Sequence, residues 1–528
     1  MHGGRRNTIP AVLDRAAERY AEREALVDGE LRLGFGELAE AAESVARALV
    51  ACGVAPGDRV ALWAPNSARW VVAALGTYRA GAVVVTLNTR LKAREAGHVL
   101  RTAGVRLLFM VDRFLGNDYG ELLAAAGPLP ALCGRVALGD VAPPGGRLWD
   151  DFLAGGATVP AAGTAARAAA VSPGDVSDVL FTSGTTGAPK GAMLGHEASV
   201  RAFEAWSDVV GLTADDRYLV INPFFHTFGL KAGILACLLR GATLVPQAVF
   251  EPEAVMRQVA DERITVMPGP PTVYQSLLEH PARAAHDLSS LRLAVTGAAV
   301  VPVDLVRRMR DELAFDTVVT GYGLTECTGI ATMCRHGDDP GTVAGTSGRA
   351  IDGVEVVVAD ETGATVPAGR PGEVLVRGYN LMHGYIGDPA ATAEAIDGDG
   401  WLHTGDVGVM DARGYLRITD RKKDMYIVGG FNVYPAEVEA ILLAHPGIAQ
   451  VAVVAMADER LGEVGRAFVV PRQGARIDPG DVVAWSRREM ANYKVPRLVE
   501  LVDELPLNAS GKVLKYELRA RPLPAPTR

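Results

Sequence analysis

Thr182-Ser183-Gly184-Thr185-Thr186-Gly187-Ala188-Pro189-Lys190-Gly191 is the stretch on which the reading of this chain turns. It follows Val176 to Phe181, a run with strand character, so it reads as a loop at the end of a buried strand. Its hydroxyls, small residues and single lysine supply O–H donors, backbone N–H groups and a cation, the equipment that holds a polyphosphate. A Walker A loop is excluded, because Pro189 interrupts the motif and Gly191, not Ser or Thr, follows Lys190. A flexible linker is the rival reading. Linkers rarely place Pro-Lys-Gly between two strand-like runs, which disfavours it.

Outward from this loop, the whole chain has 528 residues, 49% of them hydrophobic, enough for several large cores. Lys plus Arg number 53 against 62 Asp plus Glu, a formal charge of −9, so no basic footprint for nucleic acid or anionic lipid is present. Phosphate must therefore be met by local devices. Cys52, Cys133, Cys237, Cys327 and Cys334 are scattered and never spaced as CxxC, which argues for a reducing, cytoplasmic compartment and against zinc or a disulfide frame. Arg5 and Arg6 precede no apolar signal segment, and Arg79 splits the best hydrophobic run, Trp70 to Val85, short of the roughly 18 residues a membrane span needs.

The flanking sequence alternates helix and strand patterns. Ala11 to Tyr20 and Gly36 to Ala51 repeat apolar residues at helical spacing, while Arg59 to Trp63 and Val83 to Leu87 read as buried strands. Ala154 to Ala170 reads as a low-complexity surface connection. Further strand-like runs recur at Tyr218 to Asn222, Ala242 to Pro246, Ile264 to Met267, Leu291 to Thr296 and Thr317 to Thr320, a second α/β system. Beyond residue 350, Val354 to Ala359, Glu373 to Arg377 and Tyr415 to Thr419 suggest a small antiparallel unit. The expected fold class is thus α/β: a large N-terminal domain of two α/β subdomains plus a small β unit, followed by a small mobile α+β C-terminal domain. The charged cluster Asp420 to Asp424 puts the boundary between 1–421 and 422–528.

With the loop come, in order, Phe224-Phe225-His226, Gly297-Ala298-Ala299, Tyr322-Gly323-Leu324-Thr325-Glu326, Gly372-Glu373, Gly384-Tyr385, Thr404-Gly405-Asp406, Asp420-Arg421, Gly429-Gly430-Phe431 and Pro506 to Lys512. This ordered set, spanning nearly the whole chain, resembles the adenylate-forming superfamily of acyl-CoA synthetases, luciferases and peptide-synthetase adenylation domains. The resemblance implies ATP, Mg²⁺ and coenzyme A as cofactors. It implies nucleotide contacts at Thr182, Ser183, Gly184, Thr185, Thr186, Gly187, Lys190, Gly297, Ala298, Ala299, Gly321, Tyr322, Gly323, Asp406 and Arg421. Thr325 would lie near the α-phosphate and Tyr322 against adenine. A hard carboxylate at Glu326 suits Mg²⁺, and Asp406 can accept hydrogen bonds from ribose hydroxyls.

By the same resemblance Lys512 is the adenylation lysine, a preplaced cation for the charge that grows on phosphate oxygens. Lys423 matches the hinge position, where two backbone states are needed. Gly429, Gly430 and Phe431 match the coenzyme A side, and His226 the acyl-pocket wall, where it can gate the two half-reactions. No carboxylate near Phe224 and Phe225 awaits a substrate ammonium, so an acid without an α-amino group is expected.

Tyr218 to Leu238, Pro268 to Leu278 and Asp424 to Glu439 are most similar to actinobacterial synthetases that activate the propanoate side chain of ring-degraded steroids. That similarity implies a bulky polycyclic acid, steroid-fragment or terpenoid-like, with Lys231, Gly269, Thr272 and Val300 lining its pocket. The ammonium of Lys231 is the candidate partner for a ring ketone or hydroxyl, with a surface position as the alternative. Gly195 and Ala350 depart from the usual pattern without removing a catalytic group. The expected partner is a small-molecule carboxylic acid, with no nucleic acid and no integral membrane association; a homodimer stays open. Transfer to a carrier protein, retention of only the thioester-forming half, and a non-catalytic binding role are the competing readings.

Overall fold

A computed structural model describes residues 7–182, 189–297, 301–421, 424–428, 431–458, 461–490, 492–508 and 513–523. The strand Val176–Thr182 lies in a seven-stranded sheet ordered Gly384–Tyr385, Lys190–Gly195, Val176–Thr182, Val83–Thr86, Arg59–Trp63, Leu107–Met110 and Gly134–Ala137. From Val176–Thr182 onward in that order the strands run parallel, with helices such as Ala68–Arg79 and Ala93–Thr102 between them in sequence. Lys190–Gly195 turns back antiparallel, pairing Lys190 with Thr182. Thr182 and Lys190 therefore face each other at the carboxyl end of a buried strand.

A second sheet contains Arg217–Val220, Thr243–Pro246 and Glu24–Asp28 in parallel, closed by Leu31–Gly34. Bridges from Val266 to Tyr218 and to Leu293 join it to the parallel strands Leu293–Gly297 and Thr317–Tyr322. The small β unit is antiparallel: Val354–Ala359, Pro371–Gly378, Leu402–Met410 and Leu416–Arg421. Beyond it, Tyr426–Val428, Phe431–Val433, Ile448–Asp458, Gly462–Pro471 and Leu498–Leu501 form a separate sheet. Helices Pro435–Leu442 and Pro479–Glu489 bury Val438, Leu442 and Val482 in a core made only of residues after 425. Mixed α/β layers in a large N-terminal and a small C-terminal domain are thus what the chain adopts. Among the described residues no helix is long and apolar enough to cross a membrane.

Helix Ala68–Arg79 shows how the sequence selects this packing. Ser67 caps it by accepting from the Trp70 amide at 3.3 Å, and every residue but Arg69 along it is buried. Its neighbour Phe35–Ala51 approaches so closely that a Cβ on Gly76 would sit 2.4 Å from Val45. Arg79, the charge that interrupts the hydrophobic run, is itself buried, bonded to Asp14 and, at 3.1 Å, to Glu43. The Ala-rich stretch lies at the surface, as its sequence reads, but is helical: within Ala161–Ala170 only Thr164 and Ala168 are buried. It forms helices Trp149–Gly155 and Ala161–Ala170, with Thr164 wholly buried and donating to Glu43. Alanine's high helix propensity explains the helices.

Lys231 also requires correction. It lies on a π-helical segment, Phe228–Leu235, is 0% exposed, and forms an ion pair with Asp178, likewise 0% exposed, on the strand Val176–Thr182. Tyr78 donates to the other oxygen of that carboxylate, and Ser177 Oγ donates to Asp178 Oδ2 at 2.6 Å. The ammonium thus has a protein partner and is withdrawn from the role of ring-ketone donor. Removing one member of a buried pair strands the other and costs about 3–5 kcal/mol, whereas removing both charges is far milder. Lys231→Met should therefore lower the urea midpoint well below wild type, and Asp178→Asn added to it should restore part of the loss. Equal midpoints for the single and double variants would contradict the pairing.

Candidate active site

The carboxyl ends of parallel strands are where open α/β sheets leave a crevice, and the motif residues collect there. Val176–Thr182 ends at the phosphate-loop motif, and Arg217–Val220 leads into Asn222 to His226. Leu293–Gly297 and Thr317–Tyr322 end in register, Gly297 opposite Gly321. Ser183, Gly184, Thr185, Thr186, Gly187, Ala298, Ala299, Val300, Lys423, Gly429, Gly430 and Lys512 lie outside the described residues, as do the side chains of Arg421 and Phe431.

Two phenol-to-carboxylate hydrogen bonds organise the described part. Tyr322 Oη donates to Asp406 Oδ2 at 2.6 Å, and Tyr385 Oη donates to Glu326 Oε1 at 2.8 Å. Burial, then the adjoining carboxylate, raises the pKa of each phenol, so both remain proton donors at neutral pH. Asp406 is carried by Leu402–Met410 and paired in register with Arg421 on the next strand, which brings together the two residues expected at the ribose. Thr404 Oγ1 accepts from the Asp406 amide at 3.1 Å, fixing the turn ahead of the carboxylate.

Glu326 sits in a single 3₁₀ turn, Thr325–Cys327, half-buried beside Thr325. Close approach makes this bend possible: a Cβ on Gly323 would lie 2.4 Å from the Gly329 carbonyl. With Oε1 held by Tyr385, Oε2 has no partner among the described residues. No group of three His, Cys, Asp or Glu side chains among those residues could hold a metal unaided. One hard oxygen is what Mg²⁺ requires when nucleotide phosphates and water complete its shell, so this donor set fits that ion. Lys190, the first residue of the strand Lys190–Gly195, stands with Nζ 5.2 Å from the Tyr385 ring centroid.

Asn222 to His226, the segment expected at the acyl pocket, is held by a residue the motif reading missed. Asn66, buried, accepts from the Phe224 amide at 2.7 Å and donates to the carbonyls of Val220 and Asn222 at 3.1 and 3.0 Å. Thr86, at the end of a neighbouring strand, donates to the Phe225 carbonyl at 2.8 Å. An Asn just past one strand-like run and a Thr inside another were the available signal. His226 is exposed. The surrounding protein disfavours its charged form and lowers its pKa to about 4, while its own surface stays open. Its Nδ1 accepts from the Phe228 amide at 3.2 Å, which leaves the proton on Nε2. Gly269 donates through its amide to the Val295 carbonyl at 3.0 Å, beside the end of Leu293–Gly297, and Thr272 lies half-buried on helix Pro271–Glu279.

The chain's likeness to known proteins runs over almost its full length. Residues 13–386 match the family described as AMP-binding enzyme, and residues 437–512 match the AMP-binding enzyme C-terminal domain. A Rhodococcus jostii (strain RHA1) protein named 3-[(3aS,4S,7aS)-7a-methyl-1,5-dioxo-octahydro-1H-inden-4-yl]propanoyl:CoA ligase is 54% identical over 97% of this chain and 98% of its own length. The crystal structure of the anthranilate CoA ligase AuaEII in complex with anthranoyl-AMP superposes with a TM-score of 0.88 at 29% identity, covering 98% of this chain and 97% of that one. ATP-bound MatB from Rhodopseudomonas palustris gives 0.86 at 31% identity over 97% and 98%.

The His226 geometry sets an expected titration. Its ¹⁵N ring shifts should report the neutral Nε2–H tautomer at pH 7 and protonation near pH 4, below the ordinary 6.5. Because the folded-state value lies below the unfolded one, the histidine stays uncharged in the fold from neutral pH down to about 4. A ring titrating at 6.5, or carrying its neutral proton on Nδ1, would contradict this arrangement.

Proposed function

This chain belongs to the AMP-binding enzyme family, and from that premise we propose that it joins a bulky fused-ring carboxylic acid to coenzyme A through an acyl-adenylate. The family's CoA ligases use ATP, Mg²⁺ and coenzyme A. The observation that carries the reading is the pair of carboxylates, Asp406 and Glu326, each held by a tyrosine hydroxyl at the carboxyl ends of the strands. Asp406, with Arg421 opposite, receives the ribose hydroxyls. The residues from Thr182 to Lys190, with Gly297, Ala298, Ala299, Gly321, Gly323 and Thr325, would contact the phosphates, and Glu326 would hold Mg²⁺, which would neutralise phosphate charge. Substrate carboxylate attacks the α-phosphorus, the bond to the β-phosphate bridging oxygen breaks, and pyrophosphate leaves. Lys512 supplies positive charge to the oxygens that become more negative in that step.

In the second half-reaction the coenzyme A thiolate attacks the acyl carbon and AMP departs. The region after a boundary at 421/422 turns at Lys423 so that Gly429, Gly430 and Phe431 replace Lys512 beside the acyl group. Neutral His226 offers Nε2–H as a donor near the carboxylate and gates the two steps. The Rhodococcus protein's named substrate, a propanoyl chain on a methylated fused-ring diketone, supplies the class of acid: a propanoate side chain on a polycyclic, steroid-fragment or terpenoid-like body. Phe224, Phe225 and Phe228 flank His226 without an acidic residue among them, in keeping with a neutral apolar body. The same reading includes cytoplasmic residence, with a homodimer as the open alternative for assembly.

The deciding experiment offers the purified protein a panel of fused-ring, aromatic and fatty acids and measures acid-dependent ATP–pyrophosphate exchange together with the mass of the coenzyme A product. A fused-ring propanoate should support both, and fatty acids neither as well. Exchange without thioester, or thioester only from supplied acyl-adenylate, would replace this reading with one of a partial reaction. Lys512→Ala should slow adenylation by about 10² to 10³ while sparing thioester formation from supplied acyl-adenylate. Equal loss in both steps would refute the role given to Lys512.

A further inference from the structure

Glu326 and Lys190 carry opposite charges on separate elements, and the residue between them is neither acid nor base. Tyr385 turns its hydroxyl to Glu326 Oε1 at 2.8 Å and its ring face to Lys190 Nζ, 5.2 Å from the centroid. Granted that Lys190 and Glu326 serve the nucleotide phosphates, we infer that Tyr385 is a positioning residue that keeps the phosphate-loop lysine and the metal-binding carboxylate from pairing with each other. A direct ion pair would satisfy both groups and leave neither for phosphate or metal. An aromatic face attracts an ammonium more weakly than a carboxylate does, so Lys190 is oriented without being neutralised. The phenol hydrogen bond occupies one oxygen of Glu326 without removing its charge and fixes the direction of the other.

The backbone around Tyr385 is built to hold this position. The Met382 amide donates to the Glu326 carbonyl at 2.8 Å, so the turn bearing the carboxylate is bonded to the segment bearing the tyrosine. On the other side, His383 and Ile386 donate to the carbonyls of Met193 and Gly191, each at 2.8 Å, and Tyr385 pairs with Ala192. The Tyr385 amide itself donates to Thr392 Oγ1 at 2.9 Å. Residues 382–386 thus form a strap between the strand that starts at Lys190 and the turn that contains Glu326. A Cβ on Gly191 would lie 2.8 Å from Ile386, so the strap lies close against the start of that strand. Among the described residues Lys190 has no carboxylate partner. Its cationic end therefore remains available at the start of the strand that pairs Lys190 with Thr182.

Equilibrium ATP binding without acid, measured by calorimetry in EDTA and across a Mg²⁺ titration, separates the two functions of the side chain. Tyr385→Phe keeps the ring and loses the hydroxyl. It should bind ATP in EDTA within about twofold of wild type but need about tenfold more Mg²⁺ for half-maximal enhancement. Tyr385→Leu also removes the ring, so Lys190 can collapse onto Glu326 and ATP binding in EDTA should fall about tenfold. Adding Glu326→Gln to Tyr385→Leu should restore binding in EDTA, which simple loss of packing would not allow. Melting temperatures identify a variant that does not fold, and Tyr385→Phe then decides alone. An unchanged Mg²⁺ requirement in Tyr385→Phe overturns the inference, as does a folded double variant no better than Tyr385→Leu. Wild type that binds no ATP under either condition would instead overturn the nucleotide-site reading beneath it.

Discussion

The Asp178 carboxylate is the constraint on which the arrangement of this molecule rests. It is wholly buried on a central strand and accepts from Tyr78 on a crossover helix, from the adjacent Ser177, and from Lys231 on the π-helical segment. A charge taken out of water is tolerated only where its oxygens are satisfied, so the three donors can occupy few other positions. Four residues beyond Asp178 the same strand ends at Thr182, where the phosphate-loop motif begins, and five residues before Lys231 lies His226. One carboxylate thus ties the strand that ends at Thr182 to the segment that follows His226. His196, buried near the same group with its pKa lowered to about 4 by burial, accepts from the Ile9 amide at 3.2 Å and brings the N-terminal helix into the assembly.

From that centre outward, the site is assembled by strand ends and not by any single loop. Parallel strands deliver Thr182, Gly297 and Tyr322 to one face, the separate antiparallel unit brings Asp406, and a two-residue edge strand brings Tyr385. Each carboxylate is met by a phenol, which orients it while leaving the negative charge in place. A cationic partner at the same distance would have oriented it and cancelled it. This distinction explains why a tyrosine, not a lysine or arginine, stands behind Glu326.

Much of this was legible in the sequence, for reasons that can be traced to particular residues. Ala11 to Tyr20 and Gly36 to Ala51 showed helical periodicity because each packs one face, and the structure places helices at Ile9–Tyr20 and Phe35–Ala51. Val83 to Leu87 read as a strand because burial on both faces leaves it uniformly apolar. Leu402–Met410 did not read as a strand, since Gly405, Gly408 and polar residues obscure its alternation. The Ala-rich helix Ala161–Ala170 escaped because alanine carries little periodic contrast. Asn66, Thr86 and Asp178 reach partners 158, 139 and 53 residues away, and no local pattern announces such contacts. Tyr385 stood in a short motif, but its two contacts come from elements that meet only after folding. Lys231 shows the same limit from the other direction: a lysine in an apolar run was open to several roles until its carboxylate was located.

The ion pair of Lys231 also bears on the acyl side. A cation on the segment that follows His226 could in principle have met a second carboxylate or a carbonyl on the incoming acid. Drawing it toward substrate would leave Asp178 buried with only hydroxyl donors, a penalty of the same order as breaking any buried pair. The ammonium is therefore held to the framework, and the neighbourhood of Phe224, Phe225 and His226 offers a neutral donor among apolar rings. Such surroundings favour an acid whose only ionised group is the carboxylate being activated, because a further charge would enter without a counter-ion. The interaction that fixes the phosphate-loop strand thus also restricts the chemistry available to the rest of the substrate.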